Sequence, residues 1–70
     1  MARLPNEACR EQALLAIRRG DIEQAIAWIN TAYARTIGHK KRDRYAAWAD
    51  KLARENEVER HTRFADDGDV

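Results

Sequence analysis

The stretch Arg18–Ala34, RRGDIEQAIAWINTAYA, decides the fold. It opens with a helix stop followed at once by a helix start. Arg18 and Arg19 are the cations that the negative end of a helix dipole favours. Gly20 takes up the left-handed conformation that ends a helix without a side-chain penalty. Asp21 then supplies an N-cap, and Gln24, three residues on, completes a capping box of the Asp-x-x-Gln type. From there Ile22, Ala25, Ile26, Ile29, Tyr33 and Ile37 recur at helical spacing as one narrow stripe, with Gly38 as the terminator. A junction of Gly20 and Asp21 alone predicts an antiparallel helical hairpin.

Upstream, Pro5 and Asn6 suit a helix entrance with Asn6 as N-cap, and the first helix is predicted over Glu7–Arg19. Cys9, Ala13, Ala16 and Ile17 define one face of it. Leu14 and Leu15 fall to either side, so this helix asks for cover on more than one side. Downstream, HKKRDRYAAWADKLAREN sets Tyr45, Trp48, Ala49 and Leu52 on one face of a third helix, beginning at Asp43 or a residue before it. After Ala53 the stripe fails, and the helix is expected to run on as a solvated extension to Arg60. No segment alternates as a strand does. The expected fold is all-α: a hairpin plus a third helix in one domain over residues 1–64, with a disordered acidic tail over residues 65–70.

Seventy residues bury only about 60% of their unfolded surface, so a chain of this size has a marginal core. Cys9 is the single cysteine, which excludes an internal disulfide and suits a small core residue. The remaining common remedy is self-association, and a homodimer is expected. No apolar run approaches the roughly 20 residues of a membrane span, and MARLPNEACR has no signal-peptide hydrophobic region. The expected setting is the cytoplasm, with no membrane partner.

The net charge of +1 conceals two blocks. Residues 38–54 carry six basic and two acidic groups, while residues 55–70 carry two and six. His39 and His61 lack ligand partners at helical spacing, and the three glycines are isolated, so neither a metal site nor a phosphate loop is expected. The carboxylates lie in no predicted apolar pocket. The expectation is a non-enzymatic protein without cofactor. Trp28 lies roughly 120° from the centre of the second helix's stripe. It belongs either beneath the third helix or at a protein interface, where Trp, Tyr and Arg are enriched. Trp28 and Tyr33 are the candidate apolar contacts, with Arg35, Lys40, Lys41, Arg42 and Arg44 as charge-steering residues.

GDIEQAIAWINTAYA is similar to the hairpin of a tetratricopeptide unit, which Gly20, Asp21, Ile22, Ala25, Ile29 and Ala32 match in spacing. Cys9 and Ala13 stand where that repeat carries a large aromatic and a glycine. With one copy present and about three needed, a repeat array is excluded. The same segment resembles the small ANR family, negative regulators of AraC-type activators in bacteria and their mobile elements. That family shares a Gly-Asp-aromatic-x-x-Ala-x-x-x-Trp-x-x-Ala pattern and a second part rich in arginine and aromatics. Here Ile22 replaces the aromatic, Trp28 stands one position before the expected tryptophan, and RDRYAAWADKLARE lacks the usual cysteine. The resemblance implies a small helical protein that binds a transcription regulator and blocks its dimerisation or DNA contact.

The leading expectation is therefore a protein-binding inhibitor of a transcription regulator, of a kind common among phage and plasmid products. The second is direct DNA binding through Lys40–Arg44. The third is a structural subunit of a larger assembly, with Leu14, Leu15 and Trp28 as buried contacts.

Overall fold

The computed structural model describes residues 6–60 and 63–65. Three helices follow one another: α1 (Asn6–Arg18), α2 (Ile22–Arg35) and α3 (His39–Glu55), with no strand among the described residues. The all-α class is as expected.

The α1–α2 junction is built from backbone geometry. Gly20 has φ +79°, the left-handed value. Its N–H donates to the Ile17 carbonyl at 3.0 Å, and the Asp21 N–H to the Ala16 carbonyl at 2.8 Å, a Schellman pair that satisfies the orphan carbonyls of α1. Asp21 Oδ1 accepts from the Gln24 N–H at 3.2 Å, as an N-cap should. The capping box is only half formed: the Asp21 N–H that Gln24 would need is already donated to α1. Asn6 Nδ2 donates to Thr36 Oγ1 at 3.0 Å, tying the start of α1 to the end of α2 in an antiparallel hairpin.

Thr36 ends α2 earlier than its apolar spacing predicts. Its hydroxyl donates to the Ala32 carbonyl at 2.7 Å, and its own backbone is extended. Ile37 therefore leaves the stripe and is 92% exposed. Gly38 does not stop α2; with φ −72° and ψ 130° it is the N-cap of α3. α3 starts before Asp43, at His39, so the basic run forms its first turns, and it stops at Glu55, short of Arg60.

Every residue from Ala25 to Ala32 is buried, so α2 is enclosed on all sides. α1 and α3 each pack on α2 while their backbones stay apart. Ala13, Ala16, Ala25, Ala49 and Ala53 are buried in the core, where small side chains allow helices to approach closely, and they surround Ile26 and Ile29. Burial of each of those isoleucines contributes about 2 kcal/mol. The third side of α2 is covered from far along the chain. Asn30 Nδ2 donates to the Arg63 carbonyl at 3.0 Å, and the Ala65 N–H donates to Thr31 Oγ1 at 3.0 Å. Val58 and Ala65 pack against the core, whereas Phe64 points outward at 60% exposure. Ala65, assigned to the solvated tail by its sequence, is thus docked on α2; residues 66–70 lie outside the described residues, as does Pro5.

Two substitutions test this construction. Gly20→Ala places a Cβ in open space, so only the backbone conformation resists it; a loss of about 1 kcal/mol is expected in urea unfolding. Thr31→Val keeps the shape and removes the hydroxyl beneath Ala65. It should destabilise by about 1 kcal/mol and speed hydrogen exchange at the Ala65 amide while leaving α1 amides protected.

Candidate binding site

The basic segment becomes a surface only because α3 begins at His39. Lys40, Arg44, Lys51 and Arg54 then fall at i, i+4, i+11 and i+14, with Ala47 between them, and all five are exposed. This places four cations along one ridge about 21 Å long. Asp50 borders the ridge, and Arg60 Nη1 donates to its Oδ1 at 2.7 Å, which offsets its charge. No acidic residue lies in the first turn of α3, and Gly38 provides no side-chain cap. Cations there add to the positive end of the helix dipole, an arrangement mildly unfavourable for the helix and attractive to an anion. Sequence reasoning missed Lys51 and Arg54 as parts of this surface. Counting the helical period forward from Lys40, through Arg44 and Ala47, is the signal that finds them.

Beside the ridge runs a groove of about 380 Å³ between the first turns of α1 and the inner edge of α3. Tyr45 and Trp48, half-buried against the core, line it together with Arg10, Lys41 and Arg44. Asn6 and Glu7 complete the α1 side. Arg44 belongs to both features, since its position lies between the outward stripe and the groove.

The other residues expected at a partner surface are engaged within the fold. Trp28 is 8% exposed and joins the core cluster, which corrects its assignment as an apolar anchor. The cause is that α2 is buried all round from Ala25 to Ala32, which leaves no open face 120° from its stripe. The Arg42 guanidinium lies over the Tyr33 ring, 4.5 Å from its centroid, and clamps the start of α3 to the end of α2. Both residues are half-buried. Arg35 Nη1 donates to Cys9 Sγ at 3.5 Å and bridges α2 to α1. Of the charge-steering set, Lys40, Lys41 and Arg44 remain exposed.

Cys9 is fully buried. Burial pushes its thiol above the ordinary cysteine value, while the Arg35 charge and hydrogen bond pull partly the other way. The thiol is therefore held neutral. Among the described residues no cluster of His, Cys, Asp or Glu is fit to hold a metal ion, and no helix is long and apolar enough to cross a membrane.

Compared with known proteins, the chain matches no family, no curated protein and no solved structure.

The Cys9 environment fixes a pH dependence. Because the folded thiol has the raised value, folding is unaffected by this group below the unfolded thiol's value of about 8.5. Stability then falls as pH rises from there toward the folded value. Urea unfolding at pH 7 and at about pH 9.5 should show a drop that is smaller in Cys9→Ala, and Cys9 should react with a thiol reagent only as fast as the fold opens.

Proposed function

We propose that the chain is a non-enzymatic binding module that engages another protein through the α1–α3 groove and its basic margin. The observation that carries this reading is the meeting of Tyr45 and Trp48 with Arg10, Lys41 and Arg44 in one groove. Tyr, Trp and Arg are the side chains that dominate protein interfaces, since the aromatics supply apolar area and Arg supplies directed hydrogen bonds. The fitting partner presents an acidic segment with an apolar side chain for the aromatic floor. Lys40, Lys41 and Arg44 steer its approach, and Tyr45 and Trp48 take the anchoring role that Trp28 cannot fill. The ANR-like pattern through Gly20, Asp21, Ala25 and Trp28 favours a transcription regulator as that partner, held in an inhibited state, and a setting in a phage or plasmid.

Affinity capture with the full chain from its host tests this reading. Lys41→Glu and Arg44→Glu should each keep the circular dichroism of the parent and weaken capture about tenfold or more. An unchanged captured protein with both variants overturns the groove as the contact surface.

A second reading has its own observation. The turn between α2 and α3 is three residues, Thr36–Gly38, a length found in helix-turn-helix units, and the next helix carries the Lys40–Arg54 ridge. Duplex DNA would bind through that ridge. The pI of about 7.9 and the acidic residues that follow α3 weigh against it. Fluorescence anisotropy with labelled duplex at two salt concentrations separates the readings: a steep salt slope, reduced in Lys51→Gln and Arg54→Gln, favours DNA, and absence of binding at low salt removes it.

A further inference from the structure

We propose that the outer side of α1 is a self-complementary surface on which a second copy of the chain docks, the two α1 helices running antiparallel. This inference is independent of the groove reading. Cys9, Ala13 and Ala16 turn the inner side of α1 to α2. Diametrically opposite, at 100° per residue, lie Glu11, Leu14, Leu15 and Arg18. Leu14 is 48% exposed and Leu15 44%, and neither belongs to the core cluster of the described residues. Isolated surface leucines need no explanation; adjacent leucines flanked by ordered charges are a different pattern.

The charges decide the occupant. Glu7 and Glu11 are four residues apart on the helix, a like-charge spacing that disfavours it. Glu11 and Arg18 flank the leucines, seven residues apart, and neither has a charged neighbour of opposite sign at three or four residues along α1. Neither has an ion-pair partner among the described residues. A two-fold axis passing between Leu14 and Leu15 maps position 11 of one copy onto position 18 of the other, and position 14 onto position 15. One symmetric contact therefore buries four leucines and forms two Glu11–Arg18 pairs, which is the isologous arrangement of a two-fold dimer. A parallel pairing sets like charge against like.

The surface is also modest. α1 is about 20 Å long, and its outer face falls well short of the roughly 800 Å² per partner of a standard interface. The dimer is therefore weak, forming at high concentration and low salt.

Sedimentation equilibrium of the full chain from about 10 μM to about 1 mM at low ionic strength reads this out. The parent is expected to dimerise within that range. Glu11→Arg and Arg18→Glu each turn both ion pairs into repulsions and should raise the dissociation constant about tenfold or more, with unchanged circular dichroism because both sites are exposed. An equimolar mixture of the two variants should recover the parent's association, since one chain then offers cations at both positions and the other carboxylates. A parent that stays monomeric to about 1 mM, single variants that associate like the parent, or a mixture that does not recover each overturn the proposal.

Discussion

The structure depends on enclosing α2. Eight successive residues, Ala25–Ala32, are buried, whereas a surface helix buries one stripe and leaves the opposite face to water. A chain of 70 residues has few elements with which to surround a helix. It does so with α1, α3, Val58 and residues 63–65. Alanine makes this feasible: at Ala13, Ala16, Ala49 and Ala53 the flanking helices present little more than backbone to α2, so they approach closely and Ile26 and Ile29 fill the remaining space. The same choice limits the apolar area available, which leaves the core small even though it is complete.

Enclosure also explains the polar residues inside. Asn30 and Thr31 are 5% and 7% exposed, and a buried polar group without a partner costs more than the hydrogen bond it forgoes. Their partners are the Arg63 carbonyl and the Ala65 backbone. An irregular segment has unpaired backbone groups of its own, so side-chain amide and hydroxyl on α2 satisfy both sides at once. Apolar residues there would cover α2 equally well but would leave the returning backbone unsatisfied.

The elements that local physics specifies are the ones the sequence makes legible. The glycine stop, the Asp21 cap and the buried Cys9, Ala13 and Ala16 stripe all follow from neighbours within one helical turn. The start of α3 is legible only as Asp43 or a residue before it, because helix starts are recognised by caps and acidic first turns, and here Gly38 is followed by histidine and cations. Ile37 kept the right spacing for α2, yet the Thr36 hydroxyl took the Ala32 carbonyl and turned the chain out. Asn30 and Thr31 are linked to the 63–65 segment by contacts more than thirty residues apart in sequence, and no period within α2 encodes them. The groove shares this origin, since Arg10 and Trp48 meet only through their common packing on α2.

These same constraints say where recognition can occur. The largest side chains of α2 are consumed by the core, Tyr33 is covered by Arg42, and Arg35 is held against Cys9. Among the described helical residues, the long exposed side chains lie mostly on the outward sides of α1 and α3. On α3 the price of stability was accepted at the N-terminus, where a carboxylate would strengthen the helix and lysines and arginines stand instead. A single Asp or Glu at position 40 or 41 would relieve that tension, and it would also reverse the charge at the mouth of the groove. The helix end is thus better suited to an external anion than to its own folding.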